Sequence, residues 1–477
     1  MGTSVRELAA ATPGTRDRYV DLLRVVSLGT VVLGHWLMAV VTGDGVGNLL
    51  AVVPGLQPLT WVLQIMPVFF FVGGFSHALA YRSLLRRRPE PHTGVYALFL
   101  RARLRRLLRP TMAFIGVWGA GALVVQAVAG EAVSRGLSGM ALRLVAQPLW
   151  FIGIYLAMAA LTPPLLRLHE RYGWGAFTAL LAAAAAVDLL RFAAGTPYVE
   201  FLNFAFVWLA VHQLGFLRAD GRLRAPDVPA ALAAAGLAGA AALVAFGPYP
   251  LSMVGMPGEQ VSNMAPPTFA LLCHGVWLVG AVELLRGPGA RLVARPRAWR
   301  TVIAANGVAM TAFLWHLTAM LGVYGALLAV DAELPAPASA AWWAQAPLRL
   351  AAAAVLTALL VAAFRGFEKP AAASDVRAGG TGRAALGVVL CLLGILGLSM
   401  VGFAGLLEGR TATLVAVDVS APAAVAMALA GWWLVVFPVS RGLRPRTPAP
   451  QSPPATAGRY PQARLSFWLP RLNRRRG

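Results

Sequence analysis

The chain has 477 residues, 58% of them hydrophobic and 13% charged, with a mean hydropathy of +0.67. Soluble domains are about 45–50% apolar and about 25% charged, so this composition excludes a soluble globular protein and a disordered chain and points to lipid. The net charge of +22, from 41 Lys and Arg against 19 Asp and Glu, would suggest nucleic acid in a soluble protein; in a membrane chain it is the cationic flanking of cytoplasmic helix ends, and no nucleic-acid partner is expected.

A bilayer core of about 30 Å needs roughly 20 apolar residues per helix. Twelve stretches qualify in chain order: 20–41, 59–80, 111–130, 149–167, 174–192, 200–217, 228–247, 266–285, 302–324, 347–364, 384–406 and 414–438. The expected fold class is all-α, a polytopic transmembrane helix bundle of about 12 spans. The first run carries Asp21 and Arg24 and is too long for a signal peptide's apolar region, so it reads as a retained helix. Arginine placement sets the orientation. The loops at 44–58, 248–265 and 331–346 have no Lys or Arg, whereas 81–110 carries nine arginines and 286–301 five. Toward the outside stand only Arg135, Arg143, Arg191, Arg349 and Arg410. One span more or fewer would invert every later loop, so both the N- and C-termini are expected to be cytoplasmic. Cys273 and Cys391 fall inside apolar runs and imply no disulfide framework. Residues 439–477 are Pro- and Arg-rich, a composition that cannot build a core, and are expected to form a disordered basic cytoplasmic tail able to touch anionic lipid.

Charges inside the apolar runs cost a few kcal/mol each even on lenient insertion scales, so those that remain need a reason. In the first run, Arg24 and His35 are eleven residues apart, close to three helical turns, which puts them on one face about 16 Å apart along the axis. Asp21 lies one turn below Arg24. Snorkelling accounts for Asp21 and Arg24 near the helix end, but His35 is too deep and too short to snorkel. An imidazole takes up and returns a proton near neutral pH. His316, in TAFLWHLTAM, lies at comparable depth in the ninth run, so the two histidines suggest one shared cavity. His77 and His212 fall toward cytoplasmic helix ends, where an ordinary interhelical bond is the plainer reading. His274 is central. Asp188 and Arg191, three apart, are placed to pair, and Glu283 and Asp418 complete the acidic groups within the runs.

In the second run, Pro67 removes a backbone donor and Gly73-Gly74 permits close approach of another helix or a ligand. The segment LFLRARLRRLLRP follows. If helical, it places Arg101 and Arg105 on one side and Arg103 and Arg106 on another, with Arg109 a turn further. A basic stripe is often only a topology signal; guanidinium forks also match the phosphates of an acyl-CoA or a nucleotide. There is no Walker sequence, dinucleotide fingerprint, His-Glu-x-x-His or Gly-x-Ser-x-Gly, and no metal is expected.

Several segments, in order, resemble the membrane acyltransferase 3 family: RDRYVDLLRVVSLGTVVLGHW, with an arginine, ten residues and a histidine; MPVFFFVGGF at 66–75, similar to the family's Phe-Phe-x-Leu-Ser-Gly-Phe; FLRARLRRLLRP at 99–110; LWFIGIYLAMAALTPPL at 149–165; and FLWHLTAM at 313–320. The family's serine is replaced by Gly74 or Gly73, according to alignment. The resemblance implies a ten-helix acyltransferase-like core over 20–365, after a cytoplasmic segment at 1–19 and before a linker with two additional transmembrane helices at 366–438. It also implies transfer of an acyl group, commonly acetyl from acetyl-CoA as donor substrate, to a hydroxyl of a glycan, lipid or secondary metabolite, by an enzyme in the plasma membrane among its lipids. Combined with the residues, it makes His35 the catalytic base or acyl relay, Arg24 the group that orients the donor or offsets developing negative charge, His316 a second proton carrier, and Arg103 and Arg106 the ligands of the donor's phosphates. The competing reading is a proton-coupled 12-helix secondary transporter with a His, Asp and Arg relay. The lack of an internal repeat weighs against it.

Overall fold

The computed structural model describes residues 5–14, 16–42, 45–87, 94–129, 137–256, 258–368, 380–404, 406, 411–414 and 417–436. The tail expected at 439–477 lies outside the described residues. Twelve apolar helices follow in order: α1 Arg18–Met38, α2 Met66–Arg86, α3 Val95–Ala129, α4 Pro148–Tyr172, α5 Trp174–Phe192, α6 Asn203–Ala219, α7 Asp227–Phe246, α8 Phe269–Leu284, α9 Ala309–Ala329, α10 Ala340–Phe364, α11 Thr381–Val401 and α12 Ala421–Val436. Among the described residues ten helical stretches are long and apolar enough to cross a membrane. The eighth expected run is a bent pair, α8 followed by Arg286–Ala294 at 52°, and α12 has only 16 residues.

The helices differ from expectation mainly at their ends. The arginine segment is not a loop but the first half of α3, which runs unbroken through Pro110 for 35 residues. The run at 302–324 is interrupted: a short helix, Pro296–Asn306, precedes α9. Two antiparallel hairpins break the all-helical pattern, β1 (Ala39–Thr42) with β2 (Gly45–Asn48), and β3 (Thr411–Leu414) with β4 (Val417–Ser420). Asp418 therefore sits in a hairpin, exposed, where it accepts a hydrogen bond from Thr413 Oγ1 at 2.7 Å; it is not inside a span. The run 414–438 is apolar and β-branched at its start, so period alone could not separate strand from helix there.

Small residues set the helix crossings. A Cβ on Gly74 would strike the His212 carbonyl oxygen, and one on Gly215 would strike Phe71's, so α2 and α6 touch backbone to backbone. Gly236 and Gly280 do the same for α7 and α8, and Gly394 and Gly431 for α11 and α12. At the centre, Phe69 meets Phe151 at 4.8 Å, Phe70 meets Trp208 at 4.8 Å and Phe151 meets Phe313 at 4.9 Å, joining α2, α4, α6 and α9. Pro164 in α4 lacks the N–H that the Ala160 carbonyl would accept; the Tyr96 hydroxyl of α3 donates to that oxygen instead, at 3.1 Å. The start of α9 is capped from far along the chain. Glu368 accepts from the N–H groups of Met310 and Thr311 and from the Thr311 hydroxyl, a carboxylate at a helix N-terminus.

Candidate active site

Two of the residues singled out in the sequence meet through a third. Asp17 caps α1 by accepting from the N–H groups of Tyr19 and Val20, which starts the helix so that Arg24 turns toward α2. Arg24 Nη1 donates to Asp21 Oδ1 at 2.8 Å and Nη2 to the Ser76 hydroxyl at 3.0 Å. Arg103, from α3, donates to the carbonyl oxygen of the same Ser76 at 3.2 Å. Arg106 stands one turn along α3, exposed. Two guanidinium groups thus share one serine, and a third lies beside them. The opposite face of α3 does other work: Arg101 and Arg105 donate to the Val435 and Val436 carbonyls, satisfying the C-terminal end of α12. The two faces inferred from spacing have separate jobs.

The other pair lies near the far end of α1. His35 Nδ1 and His316 Nε2 are 2.7 Å apart, with near-parallel rings at 9°. The protons on this pair follow from one oxygen. His316 Nδ1 bonds the Phe313 carbonyl, which can only accept, so in the neutral ring that nitrogen carries the hydrogen and Nε2 is an acceptor. His35 Nδ1–H must then donate to His316, which leaves the lone pair on His35 Nε2. Among the described residues that nitrogen has no hydrogen-bond partner. His316 is fully buried and His35 half-buried. Trp36 Nε1 donates to the His316 carbonyl at 3.0 Å, holding α1 and α9 in register. Arg24 and His35 are not in contact; three turns of helix separate them, as the spacing requires.

The remaining groups are structural ties or unexpected neighbours. His77 and His212 are both fully buried, their rings 5.3 Å apart. The Thr162 hydroxyl stands between them, 3.4 Å from His77 Nδ1 and 3.2 Å from His212 Nε2. His274 bonds the Trp61 carbonyl at 2.7 Å. Asp188 does not pair with Arg191. It accepts from Asn203, the Tyr249 hydroxyl and the Phe269 N–H, while Arg191 lies over the Phe192 ring. Glu283 takes Arg218 at 2.6 Å, and Arg218 also reaches Asp17 at 3.0 Å. Beyond α6, Asp220 accepts from Arg82 and from His169 Nε2. Burial pushes its carboxyl up, but Arg82 and His169 outweigh that and hold it below the usual range.

The glycine replacement can also be placed. A Cβ on Gly74 has no room, whereas one on Gly73 would meet the Tyr155 ring at 3.2 Å with His212 Nδ1 at 3.9 Å. Gly74 thus has to be glycine here, whereas a small side chain at Gly73 would need only a few tenths of an ångström from the Tyr155 ring. Ser76, the hub of the arginine cluster, escaped sequence reasoning. Its one signal is position, three residues after Gly73 on the way to His77.

A family model described as an acyltransferase domain, acyltransferase 3, matches residues 17–365, which takes in α1 through α10. No curated protein and no solved structure matches the chain. With the match running over most of the chain, through both the arginine cluster and the histidine pair, this multi-pass membrane protein belongs to the acyltransferase 3 family and is an acyltransferase.

Proposed function

We propose that the protein transfers an acyl group, expected to be acetyl, from acyl-CoA to a hydroxyl of a glycan, lipid or secondary metabolite. In this reading Arg103 and Arg106 bind the donor's phosphates, and Arg24, tied to the same Ser76, completes that cationic end. Three turns from His35, Arg24 acts on the distal part of the donor rather than on the reacting carbonyl. The pantetheine arm runs along the polar face of α1 to His35. There Nε2 takes the acceptor's hydroxyl proton as the oxygen attacks the thioester carbon. The C–S bond breaks, and the CoA thiolate leaves and takes the proton back from the imidazolium. His316 holds His35 in the tautomer with its lone pair outward and shares the positive charge.

The observation that carries this reading is the hydrogen-bonded His35–His316 pair, whose outer nitrogen has no protein partner among the described residues. The match to an acyltransferase family supports acyl transfer over the proton-coupled transporter reading. The proposal extends to twelve crossings with both termini cytoplasmic in the plasma membrane, a core over 20–365, and two added helices within 366–438. Purified protein in lipid nanodiscs, given acetyl-labelled acetyl-CoA and separate glycan, lipid and metabolite fractions, tests it. Label should enter one fraction with matching release of CoA thiol. Thiol release no faster than the spontaneous rate with every fraction would contradict it.

A further inference from the structure

At the end of the bundle read as cytoplasmic, where α7 starts and α8 closes, lies a cavity of about 360 Å³. Arg224, Pro229, Glu283, Leu284, Arg286 and Gly287 contribute to its walls. The 52° bend after α8 shapes it, because the helix Arg286–Ala294 turns aside there and its first turn becomes wall instead of continuing α8. Two glycines draw guanidinium groups to this place. Gly221 has φ +74°, and Arg224 folds back over it, its Nε 3.1 Å from where a Cβ would stand. Over Gly287, in the wall, Arg291 Nη1 lies 3.7 Å from the place of a Cβ.

The charges here do not cancel. Arg218 takes Glu283 at 2.6 Å and Asp17 at 3.0 Å, and Arg286 approaches Asp17 at 3.7 Å. Two acids thus answer two guanidinium groups. Arg224 and Arg291 are left over: among the described residues no carboxylate pairs with either. α7 begins at the cavity without a side-chain cap, so the positive end of its dipole adds to the same field. Asp227, in the first turn of α7, is exposed and outside the wall.

The place of the cavity says which anion it suits. α7 is mostly uncovered by protein along its length, and Leu284 and Leu285 are 46% and 58% exposed. This is the rim of the bundle at a helix end, where arginines reach from apolar surface to lipid phosphates. The leucines suit acyl chains, and the surplus guanidinium groups suit a phosphate. Arginines that only set topology need no cavity; these converge on one with room for a headgroup. The donor's cationic end is separate. Arg24 lies seven residues past Asp17, about 10 Å along α1, and none of Arg24, Arg103 and Arg106 lines the cavity.

We propose that this cavity binds the phosphate of an anionic membrane lipid, held by Arg224 and Arg291 with Arg286 beside them.

The test reads binding alone, so its result is separate from whether the protein transfers an acyl group. Full-length protein, delipidated in neutral detergent, is titrated with phosphatidylglycerol and with phosphatidylcholine, and the first bound lipid is read by native mass spectrometry. Phosphatidylglycerol should bind at least about tenfold tighter, each surplus arginine adding about fivefold. Arg224→Gln with Arg291→Gln should remove most of that preference and leave acetyl-CoA affinity unchanged; both side chains are exposed, so the double variant should fold. Arg297→Gln, exposed and outside the wall, should keep the preference, which tells this site from a generally basic surface. Equal binding of the two lipids overturns the proposal, as does a preference that survives the double variant or falls equally in Arg297→Gln. Glycerophosphoglycerol binding as tightly as the lipid would make the ligand a soluble phosphate, and displacement of the lipid by acetyl-CoA would give the cavity to the donor; either result also overturns it.

Discussion

At the scale of the residue, the backbone oxygen of Phe313 decides which nitrogen of His35 keeps a free lone pair. It fixes the proton on His316 Nδ1, hence the proton on His35 Nδ1, hence the free lone pair on Nε2. His316→Ala leaves His35 able to adopt either tautomer, and should lower kcat about 10- to 100-fold with little change in donor KM. Stopped-flow thiol release under saturating acetyl-CoA measures it. Arg103→Ala should do the reverse, raising the donor's dissociation constant about tenfold with Arg106→Ala weaker, because Arg106 is exposed. Equal donor affinity in both variants would remove the phosphate role. His35 and His316 were legible from sequence because a charge-capable ring deep in an apolar run needs a partner at the same depth. Ser76 and Thr162 were not, since a single hydroxyl in a helix carries no periodic or charge signal.

Between elements, contact depends on what is missing from a side chain. Gly74 and Gly215 let α2 and α6 approach until any Cβ collides with backbone. Gly74→Ala should therefore destabilise the bundle by about 1–3 kcal/mol, seen as a lower Tm, whereas Gly73→Ser, facing the Tyr155 ring at 3.2 Å, should be tolerated far better. The two-faced arginine helix was readable in advance because 101 and 105 are four apart and 103 and 106 three apart, whatever they bind. That Arg101 and Arg105 clasp the end of α12 was not, since nothing local marks a carbonyl supplied more than 300 residues later. Asp220 joins α2 to α4 through Arg82 and His169. Its carboxyl is held down in the folded state, so the stability it adds is present above its unfolded value of about 3.9 and is lost as the pH falls through the lower folded value. Asp220→Asn should accordingly flatten the acid side of the Tm-versus-pH curve below about pH 4, and an unchanged acid limb would contradict this.

On the scale of the molecule, Arg24 and His35 place the arginine cluster and the histidine pair toward opposite ends of α1, with α3 and α9 supplying the partners. The order of the apolar helices was readable because a run must be long enough to cross lipid, and ten described stretches are, whereas α12, with 16 residues, is shorter than the run that pointed to it. Helix ends and the two hairpins were not, because apolar composition does not say where a helix stops. Single cysteines introduced at Ala336 and at Arg297 should react with an impermeant thiol reagent from opposite sides of the cell membrane, Ala336 from outside, since Cys273 and Cys391 are buried and stay silent. Labelling of both from one side would undo the topology. The most direct measurement of the central claim is His35→Ala in nanodiscs, with acetyl-CoA binding and acyl transfer measured on the same sample. Donor affinity within about twofold of the parent, with transfer reduced at least about 100-fold, is the predicted result. Transfer at the parent's rate would contradict the account.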